Sequence, residues 1–129
     1  MTLGADDLFA IHHLYARYNH AIDFGSAEEW ADCFSADARF DSGVSIGEGR
    51  DALLEFHAVT RQMVPDIRHL TSNIVVDGDG DVATGAAYIR ATTGAGADTV
   101  TLMTGVYRDR IVRTADGWRF AERVTTHDG

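Results

Sequence analysis

The chain has 129 residues, 45% of them hydrophobic, with a formal net charge of -9 and one proline. This suffices for one domain, 1–129, with a real core, and it excludes a disordered composition. All eleven basic residues are arginine; the lack of lysine excludes a Schiff-base or P-loop lysine, and the acidic balance argues against non-specific nucleic-acid or anionic-membrane binding.

The N-terminus lacks a basic region followed by an apolar run, and no apolar stretch approaches ~18 residues, so neither a signal peptide nor a membrane span is expected and a cytoplasmic protein is the default. From Asp6 to Phe24 the pattern is helical, with Leu8, Ile11, Tyr15, Tyr18 and Ile22 at three- and four-residue steps. Asp6 and Asp7 sit where a helix N-terminus favours negative charge; Asp23 sits at the other end, where it does not. Ser26 and Glu29 form a capping-box pattern that predicts a short second helix through Trp30. Cys33, the single cysteine, can form no internal disulfide and reads as a small core residue beside Phe34. Ala38 to Asp41 and Val44 to Ile46 read as short strands. Asp51 to about Val64 reads as a third helix, with Leu53, Leu54, Phe56 and Val59 as apolar contacts and Pro65 as the stop.

Beyond Pro65 the texture is β. Strands are predicted at Arg68–Val76, Val82–Thr92, Thr99–Arg113 and Trp118–Thr126, separated by Asp- and Gly-rich turns. Helices first and a meander afterwards imply an α+β fold: a cone-shaped, curved antiparallel sheet packed with three N-terminal helices around a pocket.

Within that frame, His69 opens the first long strand and by alternation shares a face with Thr71, Asn73 and Val75, a mixed face suited to a cavity wall. A pocket histidine needs a partner to fix its tautomer, and Asp23 is the carboxylate available at a helix end. Tyr15 and Tyr18 lie on the inner stripe of the first helix, where a phenol can polarise a carbonyl; Tyr88 and Tyr107 are further candidates in the sheet. Period-two spacing puts Arg119 and Arg123 on one face and Trp118 and Phe120 on the other, and Arg123 is a candidate to hold an anionic substrate group. His57 reads as interfacial, and His127 as part of a mobile tail. His12, His13 and His20 lack HExxH spacing, so no metal is expected. Asp77–Asp81 resembles a calcium loop, but its twelfth position is Tyr88 and a strand follows, so it reads as a tight acidic turn.

Taken together, these features resemble the nuclear transport factor 2-like superfamily, in its SnoaL-like branch. The motifs are Tyr18-x4-Asp23, Trp30 with Phe34-Ser35-Ala36-Asp37-Ala38, Gly49-Arg50-Asp51, Arg68-His69 and Asp116-Gly117-Trp118. The resemblance implies that Asp23 and His69 match the Asp–His pair of scytalone dehydratase, bile-acid 7α-dehydratase and hexachlorocyclohexane dehydrochlorinase, where the histidine removes a proton and the aspartate orients it. Tyr18 matches a functional tyrosine of the bile-acid enzyme, and Arg123 corresponds to a late arginine of the family. Scytalone dehydratase's second histidine falls here in Arg90-Ala91-Thr92 and is not reproduced.

The expected function is a cofactor-independent lyase of dehydratase type, acting on a small, mostly apolar cyclic substrate, polyketide- or steroid-like. His69, Asp23 and Tyr18 are its expected catalytic residues; Tyr15, Arg123 and Tyr88 are expected to bind substrate. An isomerase or cyclase with the same parts, a non-catalytic binding module, and a small subunit of a ring-hydroxylating oxygenase are the alternatives. The superfamily further implies a homodimer or trimer. Fold alone does not choose between these functions.

Overall fold

A computed structural model describes residues 2–129. Helix α1 (Ala5–Asp23) buries Ile11, Leu14, Tyr15, Tyr18, Ala21 and Ile22 along one stripe, as its periodicity predicts. The short α2 (Ala27–Ala31) starts from a complete capping box: Glu29 N–H donates to Ser26 Oγ at 3.1 Å, and Ser26 N–H donates to Glu29 Oε1 at 3.2 Å. Helix α3 (Arg50–Met63) ends at the expected place, since Pro65 disfavours helical geometry in the residue before it.

The strands are β1 (Phe34–Asp41), β2 (Ile46–Glu48), β3 (Arg68–Asp79), β4 (Val82–Thr93), β5 (Val100–Thr114) and β6 (Gly117–His127). They form one curved sheet in the order β2-β1-β6-β5-β4-β3. Strands β3 to β6 are the expected antiparallel meander, whereas β1 joins β6 in parallel. Strand β1 starts earlier than its apolar texture suggested, because Phe34 already pairs with Phe120.

Irregularities in the ladders bend the sheet and reset its faces. In β3 the register slips between Ser72 and Val75, where Asn73 adopts a left-handed backbone with φ of 55°. The expected face His69–Thr71–Asn73–Val75 is therefore broken. His69 and Thr71 face inward, but beyond the bulge Ile74 and Val76 take the inward places, while Asn73 and Val75 are exposed. In β6 the slip leaves Ala121 unpaired against β5. It turns Arg123 onto the buried face of Trp118 and Phe120, away from Arg119, which corrects the period-two assignment. A third slip in β4–β5 leaves Leu102 unpaired.

The core lies between the concave face and the helices. Trp30 is its centre, with ring centroids 5.0 Å from Phe34 and 5.5 Å from Phe56; Phe40 and Phe56 meet at 4.9 Å. His57 is buried, not interfacial: its Nε2–H donates to the Ala21 carbonyl at 3.0 Å and ties α3 to the end of α1. Among the described residues, no helix is long and apolar enough to cross a membrane.

Candidate active site

The last residue of α1 meets the second residue of β3. His69 donates its backbone N–H to Asp23 Oδ2 at 2.9 Å, and its Nδ1–H to Asp23 Oδ1 at 2.6 Å. One residue thus engages both carboxylate oxygens. Asp23 is 5% exposed and the His69 side chain 14%. With Nδ1 donating, Nε2 of the neutral ring is an unprotonated acceptor, the state a general base requires. The carboxylate also offsets the charge that develops when Nε2 takes a proton.

Two hollows share His69 as a wall. An open cleft of about 450 Å³ lies between α1 and β3 and is lined by Asp23, Asn19, His20, Phe24 and Thr71. A smaller chamber of about 190 Å³ lies inside the cone, against Tyr18, Ile22, Ile89, Tyr107 and Thr125. Asp23 borders only the cleft. Although the cleft is larger, the chamber suits proton transfer better, since Tyr18 and His69 share its wall and its surroundings are mainly apolar.

Behind the chamber lies a second polar cluster. Arg123 is fully buried and donates from Nε and Nη2 to the two oxygens of Asp109 at 2.8 and 2.9 Å. Tyr15 donates its hydroxyl to Asp109 Oδ2 at 2.5 Å. The guanidinium lies 3.7 Å from the ring centre of Tyr107, 4.1 Å from that of Phe120 and 4.4 Å from that of Tyr18. Burial works against the charge of Arg123, but Asp109 more than offsets it and holds the guanidinium protonated. Burial raises Tyr15, Tyr18 and Tyr107 above the usual phenol range; the charge of Asp109 reinforces this and that of Arg123 opposes it. All three are neutral donors near pH 7.

The SnoaL-like domain family matches residues 5–124. This chain belongs to that family.

A protein of unknown function from Mycobacterium tuberculosis is similar, with 34% identity over 97% of this chain and 78% of its own, at a TM-score of 0.91. The anthranilate 1,2-dioxygenase small subunit of Burkholderia cepacia is 26% identical, with 93% of this chain and 86% of the subunit aligned. A candidate scytalone dehydratase from Novosphingobium aromaticivorans has the same fold, at 21% identity and a TM-score of 0.84, over 96% of this chain and 85% of its own.

The SnoaL-like fold brings together Asp23, His69 and the chamber wall at Tyr18. Of the three expected substrate contacts, Tyr15 lines the open cleft with Asp23 and His69, and none of the three lines the chamber. Tyr88 is 57% exposed on the outer face of β4. Arg123 borders neither hollow and is fully engaged by Asp109, so it braces the tyrosines instead of reaching for an anion. Tyr15 gives its hydroxyl to the same carboxylate, and Gly85 leaves the room for it, since a Cβ there would collide with the phenol oxygen.

Sequence reasoning missed Asp109, although a signal existed: it alternates with Tyr107 and Ile111 on an inward strand face. His127 is no loose tail; it ends β6, donates Nε2–H to the Ser42 carbonyl at 2.9 Å and lines the chamber. Thr125 Oγ1 is buried in the chamber wall without a hydrogen-bond partner. Among the described residues, no group of three or more His, Cys, Asp or Glu is placed to hold a metal ion.

Proposed function

We propose that the protein is a cofactor-independent lyase of dehydratase type, acting on a small, mostly apolar cyclic substrate such as a polyketide-derived ring. The observation that carries this reading is the two-point grip of Asp23 on His69, whose ring also lines a mainly apolar chamber. His69 Nε2 takes the proton from a carbon next to a carbonyl. The C–H electron pair forms the new double bond as the β-hydroxyl leaves, and the imidazolium returns its proton to that hydroxyl, releasing water. Tyr18, held neutral by burial, donates to the carbonyl oxygen on which charge develops. Asp23 keeps the ring in the required tautomer. The same parts serve an isomerisation or ring closure if the proton returns to another carbon. A chamber of about 190 Å³ is below the ~300–1,000 Å³ common for ligand pockets and favours one or two rings over a steroid nucleus.

In a screen of β-hydroxy ketones with one or two rings, the wild type is expected to release water and His69→Ala to lose at least about a thousandfold in kcat, with its thermal midpoint nearly unchanged. Undiminished turnover in His69→Ala rules the reading out.

A second reading, a subunit without chemistry of its own, is favoured by the similarity to a dioxygenase small subunit. The outer sheet face, with Leu70, Val75 and Tyr88 exposed, is available for assembly in either case. We place the enzyme in the cytoplasm as a homodimer or trimer built on that face.

A further inference from the structure

Helix α3 was expected to bury Val59, yet Val59 is 44% exposed and Met63, one turn on, is 76% exposed. Both line an apolar groove of about 510 Å³ between α3 and the β1–β2 hairpin. Across the groove, Val44 is 82% and Ile46 58% exposed. Glu55 is the one charged residue in its lining.

This groove adjoins the inner chamber. Phe40, Val44, Phe56 and Thr60 each line both hollows, so their side chains form the rim between them. Phe40 and Phe56 are locked edge to face, whereas Val44 stands in solvent on the turn Ser42–Ser45. That turn is held in place: Ser42 N–H donates to the Ser45 carbonyl at 2.9 Å, and His127 clasps the Ser42 carbonyl. Gly43, with φ of 88°, lets the His127 ring approach, because a Cβ there would press into it. The rim therefore sits at a fixed place beside the chamber.

The two volumes divide the task. A cavity of about 150 Å³ lined by apolar side chains holds a benzene, so the chamber of about 190 Å³ takes the reacting ring, or two small fused rings, and little of an attached chain. An apolar substituent on that ring can leave the chamber over Val44 and Thr60, which line both hollows. We propose that the groove is a second substrate subsite, taking a neutral alkyl or aryl extension of the molecule whose ring stands at His69. Glu55 disfavours an anionic extension. The proposal deepens the lyase reading and rests on it for the placement of the ring.

The test is binding, which needs no chemistry. Acetophenone, butyrophenone, hexanophenone and octanophenone present one ring and a carbonyl with a growing neutral chain. Titrated calorimetrically into the full chain, affinity is expected to rise about threefold per added methylene through hexanophenone, somewhat less than full burial of each group gives. The double variant V59D/M63D changes exposed side chains only, and it is expected to flatten the series toward the acetophenone value while its circular dichroism is retained. A flat series in the wild type, an equal slope in the variant, or no binding of acetophenone overturns the proposal. The lyase reading fails separately, through undiminished turnover in His69→Ala, so the two failures are distinguishable.

Discussion

The polar residues inside this protein divide into two groups with different tasks. Asp23 and His69 form a pair in which Asp23 engages the backbone N–H and Nδ1 of His69 and leaves Nε2 unengaged by the carboxylate. Asp109 and Arg123 form a pair that engages each other and the tyrosines around them. Removing one member of such a buried pair commonly costs about 3–5 kcal/mol, because the other charge is left uncompensated. The phenols around the pair give it a pH signature. Tyr15, Tyr18 and Tyr107 are held neutral in the folded state by burial. In the unfolded chain they ionise near pH ~10, so above that the unfolded state has shed protons that the folded state keeps, and raising pH favours unfolding. A phenol that stays protonated in the folded state throughout this range contributes an expected loss of about 1.4 kcal/mol per pH unit. Urea denaturation between pH 9 and 11 should show the decline setting in near ~10, and Tyr15→Phe should reduce its slope. A stability flat to pH ~11 would contradict the proton count.

Among the elements, those with strong local signals were legible in the residues. The capping box of α2, the stop at Pro65 and the stripe of α1 each rest on interactions between near neighbours in sequence. The long strands were legible too, but their faces were not, because alternation holds only while the ladder is regular. At Asn73 one extra residue exchanges Asn73 and Val75 for Ile74 and Val76 on the inner face. At Ala121 another moves Arg123 inward, to Asp109. An asparagine tolerates the left-handed backbone at φ 55°, and a β-branched residue does not. Asn73→Val is expected to cost about 1–2 kcal/mol and Asn73→Gly to be near neutral, measured by chemical denaturation. Equal stabilities for the two variants would show that the bulge places no demand on residue 73.

The whole molecule exposes Leu70, Val75, Tyr88 and Val100 on strands β3 to β5. Apolar side chains spread over neighbouring strands favour an assembly through the sheet. Light scattering on the purified chain at micromolar concentration should give a mass of two or three copies of 14.0 kDa. A monomer that binds only an oxygenase large subunit would support the subunit reading and remove the homo-oligomer.

The amino-acid order by itself determined the helix ends, the succession of three helices and a meander, the family, and the pair Asp23 and His69 as candidates. Each of these is written in short-range patterns or in motifs at fixed spacing. Only the tertiary structure decided that the pair meets at 2.6 Å, that Arg123 is spent on Asp109, that Tyr88 faces outward, and that His127 holds the chamber rim. The reason is physical. Each outcome depends on which face of a strand a side chain occupies after a bulge, or on two segments 46 or more residues apart meeting across a curved sheet. A period-two pattern contains neither the extra residue nor the curvature.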